Sequence, residues 1–202
     1  MDLCKAYLTV NNQSWNARTD IHVASKFYDI DNFLLGTSSL TEIETAELGD
    51  LNGKRLLHLQ CHFGLDSLSF ARKGAIVTGV DLSDKAIDKA NALAAETQLN
   101  AKFVCQDVCE FGQTAKADFD IMFTSFGVIC WLPNLSLWAQ TIANSLRSGG
   151  TFYMAEFHPF HDVFEGYPYF HRQQPDVEQE STYTENCTGE KHTIITWAHP
   201  IS

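Results

Sequence analysis

Leu56-Leu57-His58-Leu59-Gln60-Cys61-His62-Phe63-Gly64-Leu65-Asp66-Ser67-Leu68, followed shortly by Ile76-Val77-Thr78-Gly79-Val80-Asp81, decides the fold. A short apolar run ends in a tight turn at Gly64. A helical segment follows, and a second apolar run closes on the carboxylate of Asp81. This is a βαβ unit with an acid at the tip of its second strand. Such a unit is suited to a nucleoside, whose polar chain faces the turn and helix start while the carboxylate accepts from the ribose hydroxyls.

Outward from this unit, strands and helices alternate. The pattern predicts strands over 55–60, 75–81, 101–106, 119–126 and 151–156. Helices are predicted over 65–73, from the Ser83 cap onward, and from Pro133 to Gly149-Gly150. Leu65, Leu68 and Ala71 line one face of the first helix. Ala86, Ile87, Ala90, Leu93 and Ala94 make the apolar stripe of the second. The βα repeat implies an α/β, Rossmann-like, doubly wound and mainly parallel sheet with helices on both faces.

Residues 1–50 read as a helical extension. Thr41 with Glu44 three residues later forms a capping box for a short helix over 42–48. Trp15, Tyr28 and Phe33 either make a lid over the sheet's rim or pack on the sheet. Residues 51–157 are the nucleoside-binding core. Residues 158–202 are an irregular substrate-side segment, rich in aromatic and acidic residues, with one strand over 191–199.

Composition narrows the function. The chain has 202 residues, 14 Lys and Arg against 25 Asp and Glu, and a net charge of −11. That balance opposes nucleic acid as a partner and favours a small-molecule substrate. No stretch reaches membrane-spanning length, so no membrane partner is expected. Six cysteines without a CxxC pair read as reduced, mostly buried thiols, and a cytoplasmic location is expected. Cys61 and Cys105 read as packing residues. His158-Pro159-Phe160-His161-Asp162 puts two imidazoles near a carboxylate, but Pro159 breaks the spacing that would aim both rings at one ion, so no metal site is assigned.

Four strand ends deliver polar or small residues to one rim: Gln60 to Gly64, Asp81-Leu82, Asp107-Val108 and Ser125-Phe126. With these residues the chain resembles the class I methyltransferases. Leu146-Arg147-Ser148-Gly149-Gly150-Thr151 also resembles the turn that leads into that family's fifth strand, with Ser148 in place of the usual proline. The resemblance implies S-adenosyl-L-methionine as cofactor. It places the methionine end on the loop of Gln60, Cys61, His62 and Gly64, and the ribose on Asp81 beside Leu82. The adenine goes to Asp107 and Val108, and the sulfonium lies above Ser125 and Phe126. It departs from the family at Gln60 and His62, where glycines are usual, and at His58, where an acid is usual. The sequence L-H-L-Q-C-H-F-G is similar to a bacterial subgroup of methyltransferase-like proteins.

The implied reaction is in-line methyl transfer to a small-molecule acceptor, governed by positioning more than by acid–base chemistry. Glu156 and His158, at the end of strand five, are the candidates for substrate contact or a general base. Two other functions fit less well. A nicotinamide-dependent oxidoreductase lacks its G-x-G-x-x-G fingerprint here. A non-catalytic binding or regulatory protein would keep the fold without turnover. The C-terminal helix and hairpin of the family are expected to be absent. That would leave an open strand-five edge, free to pair with residues 191–199 or with a second copy in a homodimer.

Overall fold

The computed structural model describes residues 3–167, 169–170 and 172–199. The side chains of residues 3–5 and 162, Cys4 and Asp162 among them, lie outside the described set.

Five parallel strands form the centre: β1 (Arg55–Leu59), β2 (Ile76–Asp81), β3 (Ala101–Cys105), β4 (Phe119–Thr124) and β5 (Leu146–Met154), in the order β3-β2-β1-β4-β5. The middle strands are apolar on both faces. Leu56, Leu57, Leu59, Val80, Met122 and Phe123 are all fully buried, as a doubly covered parallel sheet requires. Helix α4 (Leu65–Arg72) follows β1, and α5 (Asp84–Thr97) follows β2. α5 buries the five residues that the sequence assigns to its stripe. Ser83 caps it, accepting from the Ala86 N–H at 3.1 Å.

The strand order reverses between β1 and β4, so the crevice above their carboxyl ends is the natural ligand position. Gly64 closes the β1 turn with φ 80°, and a Cβ there would sit 2.6 Å from the Phe103 ring. Only glycine fits both that conformation and that space.

Three expectations need correction. A helix not foreseen, α6 (Val108–Thr114), follows β3, with Asp107 as its N-cap. Helix α7 (Leu135–Ser145) ends before Gly149-Gly150 and β5 starts at Leu146, because the Gly149-Gly150 turn is absorbed as a bulge between the Phe119–Leu146 and Ile121–Thr151 pairs. Finally, residues 192–196 do not pair with β5. A short helix α8 (Phe160–Phe164) and a separate antiparallel pair, β6 (Asp176–Glu180) with β7 (His192–Thr196), follow the sheet. Neither extends the main sheet, which among the described residues has five strands and not the family's sixth and antiparallel seventh, as expected. β6 escaped notice because Asp-Val-Glu-Gln-Glu is short, acidic and poor in β-formers.

The N-terminal part forms α1 (Leu3–Val23), α2 (Ile30–Leu34) and α3 (Glu42–Leu48). The Thr41/Glu44 capping box is formed at α3. α1 bridges the β6–β7 pair and the start of α5. Asn11 donates to the Ile195 carbonyl at 2.8 Å and accepts from its N–H at 2.9 Å. Asn12 donates to the Leu82 carbonyl and Asn16 to the Asp84 carboxylate, at 2.8 and 2.7 Å. The N-terminal helix and the C-terminal strand pair thus roof the carboxyl-end rim together.

Candidate functional site

The β1 loop takes an unusual path. Gln60, His62 and Gly64 all have left-handed backbones, with φ 57°, 49° and 80°. Two of them are L-residues where the family uses glycine, and each pays about 1 kcal/mol or more for that conformation. Neighbouring bonds hold the path in place. The Cys61 N–H donates to the Val80 carbonyl at 3.1 Å, and the Gly64 N–H to the Cys61 carbonyl at 3.0 Å. Gln60 Nε2 donates to the Val128 carbonyl at 2.8 Å. Its Oε1 is buried and has no partner among the described residues.

Asp81 sits at the tip of β2 and ties two turns together. One oxygen accepts the His62 N–H at 2.8 Å, the other the Ser83 N–H at 2.9 Å. Burial raises its pKa, and these amides pull it back down. Asp107 accepts the N–H groups of Cys109 and Glu110, both at 2.9 Å and both on Oδ1. Val108 is buried beside it and Leu82 partly so. Ser125 hydrogen-bonds Asp66 at the start of α4. Phe126 is 43 % exposed and tilts against Phe157, 5.9 Å away.

His58, in place of the family's acid, is fully enclosed. Its Nδ1 meets Ser67 Oγ at 2.8 Å, and burial pushes its pKa down to about 3, so it is neutral. Among the described thiols only Cys61 is buried; Cys105 is exposed, contrary to its expected packing role. Its position at the last residue of an edge strand explains this.

Glu156 carries a structural load. Its carboxylate accepts the N–H groups of Gly127, Val128, Ile129 and Phe157, at 2.5, 2.9, 3.2 and 2.8 Å. It fixes the turn after β4, including the 3-10 turn over Ile129–Trp131. His158 is exposed, stacks on Phe160 at 5.3 Å, and accepts that residue's N–H at 3.3 Å. Beside Glu156 lies a cavity of about 70 Å³, lined by Gly127, Ile129, Cys130, Phe157, Trp197 and His199 among others.

The roof adds residues that the sequence reading did not name as site residues. Trp15 lies edge-on to His62 and to Trp131, with centroids 5.2 and 5.1 Å apart. His22 Nδ1 is 2.8 Å from His62 Nε2, and His22 Nε2 contacts Thr182 Oγ1. Tyr28 lies edge-on to Phe63 and bonds Tyr183, hydroxyl to hydroxyl, at 2.5 Å. Phe33 instead belongs to the core, with the Arg72 guanidinium 4.0 Å over its ring. The one signal in the sequence is a polar stripe, Asn11, Ser14, Arg18 and His22, on the face α1 buries; a helix on an ordinary core buries apolar residues.

This topology, with an acid closing β2 and a tight loop after β1, is the class I methyltransferase fold. The comparisons agree. Residues 56–150 match the family model described as a methyltransferase domain. A ubiquinone biosynthesis O-methyltransferase of Coxiella burnetii is 35 % identical over 105 residues, which cover 52 % of this chain and 44 % of that protein. The relative of the same description from Aeromonas salmonicida is 25 % identical over 137 residues, covering 66 % and 57 %. The chain thus spans about half the length of the curated relatives it matches. Among solved structures, DhpI in its SAH complex superposes with TM-score 0.64 at 15 % identity, covering 96 % of this chain and 81 % of that one. An S-adenosylmethionine dependent methyltransferase of Mesorhizobium loti gives 0.55 at 18 % identity, covering 83 % and 77 %.

Proposed function

We propose that this protein is an S-adenosyl-L-methionine-dependent methyltransferase acting on a small-molecule acceptor. The observation that carries the reading is Asp81 at the tip of β2, braced against the left-handed loop 60–64 at the strand-order reversal. A diol-bearing ribose suits that carboxylate, and Asp107 with Val108 suits an adenine. Bound cofactor supplies an electrophilic methyl. The chain's part is to hold the nucleoside, exclude water with the α1 and β6–β7 roof, and orient the acceptor's lone pair. Glu156 serves by shaping the β4 turn under the acceptor position. The loop is read as a variant of the family's glycine-rich turn in which Gln60 and His62 take left-handed conformations that glycine favours. The relatives named above are ubiquinone-pathway O-methyltransferases, which supports an oxygen acceptor on a small molecule.

A second reading is a binding or regulatory protein that keeps the fold without methyl transfer, since a fold does not fix a reaction. Incubation with S-adenosylmethionine carrying an isotopic methyl, against a panel of phenols, carboxylates, thiols and amines, separates the two. Label in an acceptor, matched by S-adenosylhomocysteine released, supports methyl transfer. Tight cofactor binding with no label in any acceptor favours a binding or non-methylating role.

A further inference from the structure

Arg18 is a buried cation without an adequate partner. It is 3 % exposed on the inner face of α1. Its guanidinium lies against the edge-on pair of Trp15 and Trp131, 5.5 Å from each ring centroid. Nη2 makes a long bond of 3.3 Å to the Ser181 carbonyl. The Glu180 carboxylate stands 3.8 Å away, beyond hydrogen-bonding distance, on a side chain half exposed to solvent. Nε is buried with no partner among the described residues, and so is the hydroxyl of Ser14, one turn earlier on the same face. Unpaired buried donors are costly, and an unsatisfied buried guanidinium more so. A guanidinium held against aromatic rings with an open donor on its edge is how arginine receives a planar oxyanion.

We propose that Arg18 and Ser14 form a receptor for one oxyanion of a bound small molecule, the methyl acceptor being the source that the geometry favours. Arg18 abuts residues 180–183 of the C-terminal segment and the turn after β4, on the side away from Asp107 and the adenine position. An acceptor carboxylate or phosphate-type group entering there displaces the distant Glu180 and satisfies both orphan donors. The cofactor's own carboxylate has the same chemistry and is the other source. The acceptor assignment rests on the methyltransferase reading; the anion site does not.

The test uses the full chain with S-adenosylhomocysteine, 5′-methylthioadenosine (the same nucleoside without its amino-acid end), benzoate and inorganic phosphate. For an acceptor site, benzoate or phosphate raises the melting temperature of the S-adenosylhomocysteine-loaded protein. Arg18→Gln abolishes that rise, and S-adenosylhomocysteine affinity moves less than threefold. For a cofactor site, Arg18→Gln weakens S-adenosylhomocysteine at least tenfold and leaves 5′-methylthioadenosine unchanged. Ser14→Ala, which removes only a hydroxyl, weakens the same response severalfold and stands in if Arg18→Gln does not fold. Variants that fold and match the wild type in all these responses overturn the proposal. A wild type that binds neither nucleoside refutes the cofactor reading separately, and the anion response of the unliganded protein then decides the site.

Discussion

The Asp81 carboxylate accepts the backbone N–H of His62 at 2.8 Å. The acid that ends β2 therefore holds the loop that follows β1, and the proposed ribose anchor also sets the loop's path. The other oxygen takes the Ser83 N–H, so one carboxylate organises both turns. Asp81→Asn replaces one acceptor oxygen with a donor facing an amide. Stability is expected to fall by about 1–3 kcal/mol, with S-adenosylhomocysteine affinity down at least tenfold. A urea midpoint paired with calorimetry checks both, and an unaltered loop with unaltered affinity would contradict this role.

Gln60→Gly tests the strained loop. Relief of the left-handed strain returns about 1 kcal/mol. Loss of the Nε2 bond to the Val128 carbonyl costs about the same. The variant is expected within about 1 kcal/mol of the wild type in a denaturant titration, whereas Gln60→Val, β-branched and left-handed, loses clearly more.

Glu156 is expected to behave as a brace. Glu156→Ala removes the acceptor of four backbone N–H groups, at a cost of about 2 kcal/mol or more. Glu156→Gln keeps part of the brace and retains most of any methyl-transfer rate. A Gln variant of native melting temperature with turnover abolished would instead make Glu156 a base.

Acid destabilises the fold through its buried imidazoles. Burial pushes His22 down to about 4 and His58 down to about 3, from an unfolded value near 6.5. As pH falls below 6.5 the unfolded chain binds protons that the folded chain refuses, so stability drops, by about 2 kcal/mol per histidine at pH 5. Asp66 works the other way. Burial raises its carboxyl to about 6, and the folded state gains about 1 kcal/mol between pH 6 and 5. The net expectation is a lower urea midpoint at pH 5 than at pH 7.5, with a shallower slope in His58→Asn. A midpoint that is flat or rises on acidification would contradict it.

The sheet was legible because its cause is local. Leu56, Leu57 and Leu59, with Val77 and Val80, put apolar side chains on both pleat faces, and Gly64, Ser83 and the Thr41/Glu44 box punctuate them with turn and cap chemistry. The rim residues could be found for the same reason, since each ends a strand. What stayed hidden depends on partners far away in sequence. Arg18 meets residues 180 and 181, His22 meets His62 and Thr182, and Asn11 brackets Ile195; no periodicity reports such pairs. A carboxylate at a strand end looks available in the sequence, which makes Glu156 read as a candidate base. Only the three-dimensional turn shows its oxygens taken by amides.

The central claim is that loop 60–64 and Asp81 hold S-adenosylmethionine. Calorimetric titration of the wild type and Asp81→Ala with S-adenosylmethionine and S-adenosylhomocysteine tests it most directly. The account predicts micromolar binding of both by the wild type and loss of at least a hundredfold in the variant. No binding by the folded wild type, or equal binding by Asp81→Ala, would contradict it.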